Sequence, residues 1–80
     1  MAAVKIIGQR GTTEFLVYAG RGDALGQVNV PLGRVFSLST GELAGEALPV
    51  DSIVARGYWE DVSVSDAILA DVRAQVAALL

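Results

Sequence analysis

Residues 18–27 read YAGRGDALGQ, and the fold class turns on whether a helix or a strand comes after them. Two functional signatures overlap in this stretch. Gly20, Gly22 and Gly26 nearly space a dinucleotide fingerprint, and Arg21-Gly22-Asp23 spells an integrin-type adhesion tripeptide. The fingerprint requires glycines at the first, third and sixth places and then a helix, whose N-terminus holds the pyrophosphate inside a βαβ unit. Here the third glycine comes one residue late. The next residues, Gln27-Val28-Asn29-Val30, alternate like a strand. Glu42 and Glu46 lie near the place of the ribose-binding acid, which means little in a chain with nine acids. The adhesion tripeptide needs an exposed loop on a secreted protein, and no secretion signal accompanies it. The stretch reads instead as a flexible hairpin connection, in which glycine supplies positive φ where the chain reverses.

On the N-terminal side, Thr12–Ala19 is the clearest strand. Thr13, Phe15, Val17 and Ala19 alternate there with Thr12, Glu14, Leu16 and Tyr18. Val4–Ile7 begins an earlier strand that Arg10-Gly11 turns. Beyond the connection, Gln27–Val30 is extended until Pro31-Leu32-Gly33 interrupts it. Arg34–Ser39 is a further strand, closed by a turn at Ser39-Thr40-Gly41-Glu42. The segment 43–56 is open between helix and strand. Gly45 and Pro49 break it, and Asp51–Gly57 fits one or two helical turns with Asp51 as cap and Gly57 as the left-handed residue beyond. Tyr58–Val64 reads as extended, with Tyr58, Val62 and Val64 on one face and Trp59 on the other.

The last segment is helical. Ser65 or Ser63 caps it, and Ser63-Val64-Ser65-Asp66 fits a capping box with Asp in place of the usual Glu or Gln. Ile68, Leu69, Val72, Val76, Leu79 and Leu80 fall on one stripe, while Asp71, Arg73 and Gln75 face away. The expected fold is α+β, a short antiparallel β meander of four or five strands with a C-terminal α-helix. It forms a single domain, 1–80, β-rich over 1–64 and helical over 65–80.

Chemistry is sparse. There is no histidine and no cysteine, which removes the ordinary catalytic imidazole, disulfide staples and the usual zinc ligands. A serine–lysine dyad would have to use Lys5, the only lysine. Glu60-Asp61 are adjacent on an extended segment and point to opposite faces, so they do not converge on one bond. The acids lack the alternate-residue spacing of a calcium loop. The expectation is a protein that is not an enzyme and takes no cofactor, metal or small-molecule substrate. No run approaches the roughly 18 apolar residues of a membrane span, and the apolar run in MAAVKIIGQRG is too short for a signal-peptide core. A soluble protein of a reducing cytoplasm, or one indifferent to redox state, is expected.

What the chain does carry is contact surface. Hydrophobic residues make up 52% and glycine a further nine of the 80 residues, more apolar material than a lone core of this size uses. Charge is segregated. Residues 1–41 hold four cations and two acids (net +2), and residues 42–80 hold two cations and seven acids (net −5), which sum to the −3 of the whole chain. Head-to-tail complementarity between copies is one reading of that asymmetry; separately solvated faces are the other. A single lysine and no basic run give no nucleic-acid face.

The order from Gly33 to Trp59 is a strand (GRVFSLSTGEL), a short helix opened by an acid (LPVDSIVARG) and an aromatic-acidic step (YWEDV). It resembles small open reading frames among the head and neck genes of tailed bacteriophages, in pattern and over about a third of the chain. The resemblance implies a virion structural role as a minor capsid, decoration or head–tail connection protein, present in many copies and assembled in the bacterial cytoplasm. Its partners would be copies of itself and other virion structural proteins. Five arginines against one lysine also suit a GC-rich bacterial or phage genome. The rival reading is a stand-alone bacterial adaptor or regulator that binds one protein partner. Trp59 is the expected interface anchor, unless it closes the core under the helix. Leu79 and Leu80 form a second expected contact, docked on their own sheet or on another subunit. Glu60 and Asp61 would lie on the rim and meet Arg21 or Arg34 of a neighbour.

Overall fold

A computed structural model describes residues 3–80. Met1 and Ala2, which open the N-terminal apolar run, lie outside the described residues. The alternation seen in Thr12–Ala19 belongs to a longer strand. β1 (Ile6–Arg10), β2 (Glu14–Ala24), β3 (Gln27–Ser37), β4 (Glu42–Leu43) and β5 (Leu48–Pro49) form an antiparallel sheet, followed by α1 (Val50–Ala55) and α2 (Asp66–Leu79). β1, β2 and β3 are sequential neighbours, and both β4 and β5 pair with the far edge of β3. The fold is therefore α+β, a β meander with a C-terminal helix, as the periodicities indicate.

Two expectations about the hairpin are corrected. Residues 20–24 are not a loop. β2 runs through them, and the chain reverses only at Leu25-Gly26, where φ is 56° and 77°. Positive φ at both central residues is the geometry of the tight hairpin turn whose twist matches its strands. Nor does Pro31 break β3. It pairs with Arg21 beside an irregularity between Tyr18 and Arg21, the kind of place where a strand tolerates a residue with no N–H to donate.

Alternation gives the sheet two buried faces. Phe15 and Val17 on β2 and Phe36 on β3 form a core with Val72 and Val76 of α2, all buried. Ile6, Leu43, Val64, Ile68 and Leu69 pack around it. The helical stripe therefore does what its spacing predicts at positions 68, 69, 72 and 76. Ser65 is the N-cap, its Oγ accepting the Ile68 amide at 3.3 Å, so the alternative start at Ser63 and its capping box are not formed.

The second face carries Leu16, which shares it with α1 and Trp59. Gly33 makes the fit there, since a Cβ on it would lie 2.9 Å from Leu16 and 3.4 Å from Val50. α1 confirms the helical option for residues 51–55. Its expected caps are corrected: Pro49 stands at the N-cap with no side-chain cap bond, Asp51 lies in the first turn, and Gly57 has no positive φ. The helix closes instead through Arg56 N–H to Ile53 O and Gly57 N–H to Val54 O.

Residues 58–64 pair with β1 only at Glu60, whose backbone exchanges two 2.9 Å hydrogen bonds with Gln9. Gln9 is buried, and its Oε1 accepts the Ser63 amide at 2.6 Å, tying this strap to the sheet just before α2. The expected common face of Tyr58, Val62 and Val64 is not found. Tyr58 is 90% exposed, while Val64 packs on the core.

Candidate interaction surface

Trp59 does not sit under the long helix. It lies on the other face of the sheet, its ring 3.9 Å from where a Gly8 Cβ would be, and it is half-buried. Arg10 covers it, with the guanidinium carbon 4.6 Å from the ring centroid. Arg10 is held there by Glu14, through Nε to Oε1 at 3.0 Å and Nη2 to Oε2 at 2.8 Å. That two-pronged hydrogen bond lowers the Glu14 carboxyl below its ordinary value and raises the Arg10 guanidinium. Glu14 and Arg10 face each other across the β1–β2 turn, so strand register builds the pair that fixes the arginine over the indole. The Trp59 Nε1 is buried and has no hydrogen-bond partner among the described residues. Beside Trp59 is a cavity of about 160 Å³, shared with Arg34, Ile53, Arg56 and the chain between β4 and β5.

The other expected interface residues are scattered. Glu60 and Asp61 are exposed next to Trp59, where the sequence places them. Arg21 and Arg34 each serve their own chain. Arg34 Nε donates to Ala44 O at 2.6 Å, fastening β3 to the residue after β4. Arg21 donates to Asn29 through Nε to Oδ1 at 3.1 Å and Nη2 to O at 2.6 Å. Asp23 Oδ1 accepts the Asn29 amide at 2.9 Å. The first and third residues of the adhesion-like tripeptide thus clamp Asn29, whose φ is 54°, a left-handed conformation that asparagine tolerates. Leu79 and Leu80 are 49% and 72% exposed, so the apolar stripe continues past the end of its own core. Leu80 borders a groove with Val4, Lys5, Val17, Tyr18 and Leu43.

The hairpin end is a surface that the sequence pattern does not single out. From the Arg21–Pro31 pair outward, β2 and β3 pair only with each other, forming an arm whose tip carries Leu25, 78% exposed, and Val28, 77% exposed. A partial signal exists, because Ala24-Leu25-Gly26-Gln27 is a two-residue turn between alternating segments, but the glycines before it mimic a longer loop.

Together the fold and this surface define a small α+β protein with a two-stranded arm, an apolar helix end and an arginine-capped tryptophan. No protein-family model, curated protein or solved structure matches the chain. Among the described residues, no helix is long and apolar enough to cross a membrane.

Proposed function

We propose that the chain is a non-enzymatic structural subunit of a virion, a multi-copy protein that contacts its own copies and neighbouring capsid or neck proteins. Leu25 carries the reading. A leucine with positive φ is strained, because its Cβ crowds the backbone, by roughly 1–2 kcal/mol. Leu25 also exposes most of its surface to water, so the isolated chain gains neither geometry nor burial from it. Asparagine at that turn position would suit the backbone better. An apolar side chain kept on a disfavoured backbone at the tip of an arm is accounted for by burial against another molecule. Val28 beside it and Leu79 and Leu80 at the helix end add apolar surface of the same kind. The virion setting comes from the resemblance of residues 33–59 to head and neck proteins of tailed phages, and with it assembly in the bacterial cytoplasm.

The test is Leu25→Asn. It should raise the stability of the monomer by about 1 kcal/mol, since the strain is relieved, and at the same time weaken association and incorporation into particles. Opposite signs in the two measurements distinguish contact surface from folding surface. A variant that assembles as well as wild type overturns the role of the arm. A wild-type chain that stays monomeric at every concentration and never enters particles overturns the subunit reading in favour of a stand-alone adaptor.

A further inference from the structure

We infer that the outer edge of β2 in the arm is a dimer interface, on which a second copy of the chain lays the same edge antiparallel, with Arg21 of each copy opposite Asp23 of the other. The inference rests on the arm being contact surface, the reading that Leu25 carries, and not on the virion setting. β1 accompanies β2 only as far as Val17, and the last bond on that side runs from the Tyr18 amide to Lys5 O at 2.9 Å. From Ala19 to Ala24, β2 has no backbone partner on that side among the described residues. An open edge of this kind is a template for another strand. The other edge of the arm is blunted, since Pro31 has no N–H to donate and Asn29 has positive φ beside a register shift.

The groups that the open edge presents follow from the ladder. Successive residues of an antiparallel strand turn their N–H and C=O to alternate sides. Gly33, opposite Tyr18, and Pro31, opposite Arg21, are two apart on β3, so Arg21 has the same sense as Tyr18. The Tyr18 amide points outward to Lys5, and the outward sense therefore returns at Arg21 and at Asp23, while Gly22 turns inward to Val30. Two such edges lie antiparallel about a two-fold axis, and three centres within the tripeptide keep the outward groups in register. Centred on Arg21 or on Asp23, a charge meets its own copy, which is unfavourable. Centred on Gly22, Arg21 meets Asp23 twice over, and each pair exchanges two backbone hydrogen bonds. The two glycines then face each other where Cα atoms approach to about 4.5 Å, with no side chains to crowd them.

Arg21 and Asp23 lie two residues apart, on one face of the strand, and both are exposed. Their bonds to Asn29 use Arg21 Nε and Nη2 and Asp23 Oδ1, which leaves Arg21 Nη1 and Asp23 Oδ2 without a partner among the described residues. The Gly22-centred register also carries Leu25 to Ala19 of the second copy. Ala19 and Gly20 border the groove that holds Val4, Tyr18 and Leu80, so the tip leucine of each copy covers apolar surface of the other. The adhesion-like tripeptide is in this way self-complementary, with a charge of each sign on either side of a glycine.

Charge reversal tests the register. Arg21→Asp alone sets acid against acid in the homodimer, and Asp23→Arg alone sets cation against cation. Each should weaken dimerisation about tenfold or more in sedimentation velocity. An equimolar mixture of the two variants pairs opposite charges again and should return to within about threefold of wild type. Both variants lose the clamp on Asn29, which mixing does not restore, so recovery in the mixture reports contact between copies. In ¹⁵N-labelled wild type the amide hydrogens of Arg21 and Asp23 should exchange more slowly as the protein is concentrated, a readout that needs no variant. The inference is overturned by a mixture as dissociated as either variant, by single variants that dimerise as wild type does, or by exchange at Arg21 and Asp23 that is independent of concentration. Where one of these is found in a wild-type chain that does associate, and whose association Leu25→Asn weakens, the arm stands as contact surface and this pairing alone fails.

Discussion

Arg10, Glu14 and Trp59 form a stack in which each member fixes the next. Glu14 accepts two hydrogen bonds from Arg10, and Arg10 lies over the Trp59 ring. Because the folded state lowers the Glu14 carboxyl relative to the unfolded chain, the pair stabilises the protein at neutral pH and loses that contribution as pH falls through the folded-state value, below the ordinary carboxylate range. Both side chains are about a third exposed, so water screens the pair. Glu14→Gln should cost only a few tenths of a kcal/mol at pH 7. The difference from wild type should shrink as the pH is taken below the ordinary carboxylate range, as read by urea denaturation at neutral and acid pH. Gly33 tests the second face at the same scale. Gly33→Ala would set a methyl 2.9 Å from Leu16 Cδ1 inside a buried layer and should destabilise by about 1–3 kcal/mol through overpacking. A neutral result in thermal denaturation would mean that the layer against α1 is loosely packed.

Helix α2 is legible in detail because its information is local. A serine before an acid marks its start, and apolar residues at helical spacing mark its inner face. Ser65→Ala should cost about 1 kcal/mol through loss of the cap. Val72→Ala should cost about 2–3 kcal/mol, since Val72 is fully buried in the core and truncation leaves a cavity. Leu79→Ala, on the same stripe but half exposed, should stay within about 0.5 kcal/mol in the monomer. Equal costs at positions 72 and 79 in chemical denaturation would contradict this placement of the stripe. The β2–β3 hairpin is legible only near its base. Glycines at 20, 22 and 26 read as a loop, yet two irregularities of register let the strands continue past Gly20 and Gly22. Bulges depend on the partner strand, and no pattern within one strand announces them.

The whole molecule extends 38 × 29 × 19 Å, and its large exposed apolar side chains include Leu25, Val28, Val54, Tyr58, Leu79 and Leu80. Assembly through them would couple stability to concentration, because a partner that binds only the folded chain stabilises it by mass action. The melting temperature should therefore rise with protein concentration in wild type. Leu25→Asn should reduce that dependence while melting higher when dilute, as calorimetry over a wide dilution series would show. High salt should alter association only modestly if apolar contacts dominate it, whereas rim pairs through Glu60 and Asp61 would weaken markedly. Local pattern in the chain was enough to set the α+β class, the strand at Phe15 and Val17, the short helix option at residues 51–55 and the inner face of α2. Each of these rests on a periodicity that one segment carries alone, and burial of an apolar stripe is its direct consequence. Tertiary packing settled the rest: which side of the sheet receives Trp59, that Arg21 and Asp23 clamp Asn29, and that Leu25 stands in water on a strained turn. Those outcomes depend on register and on the proximity of residues far apart in the chain, which spacing within a segment does not encode.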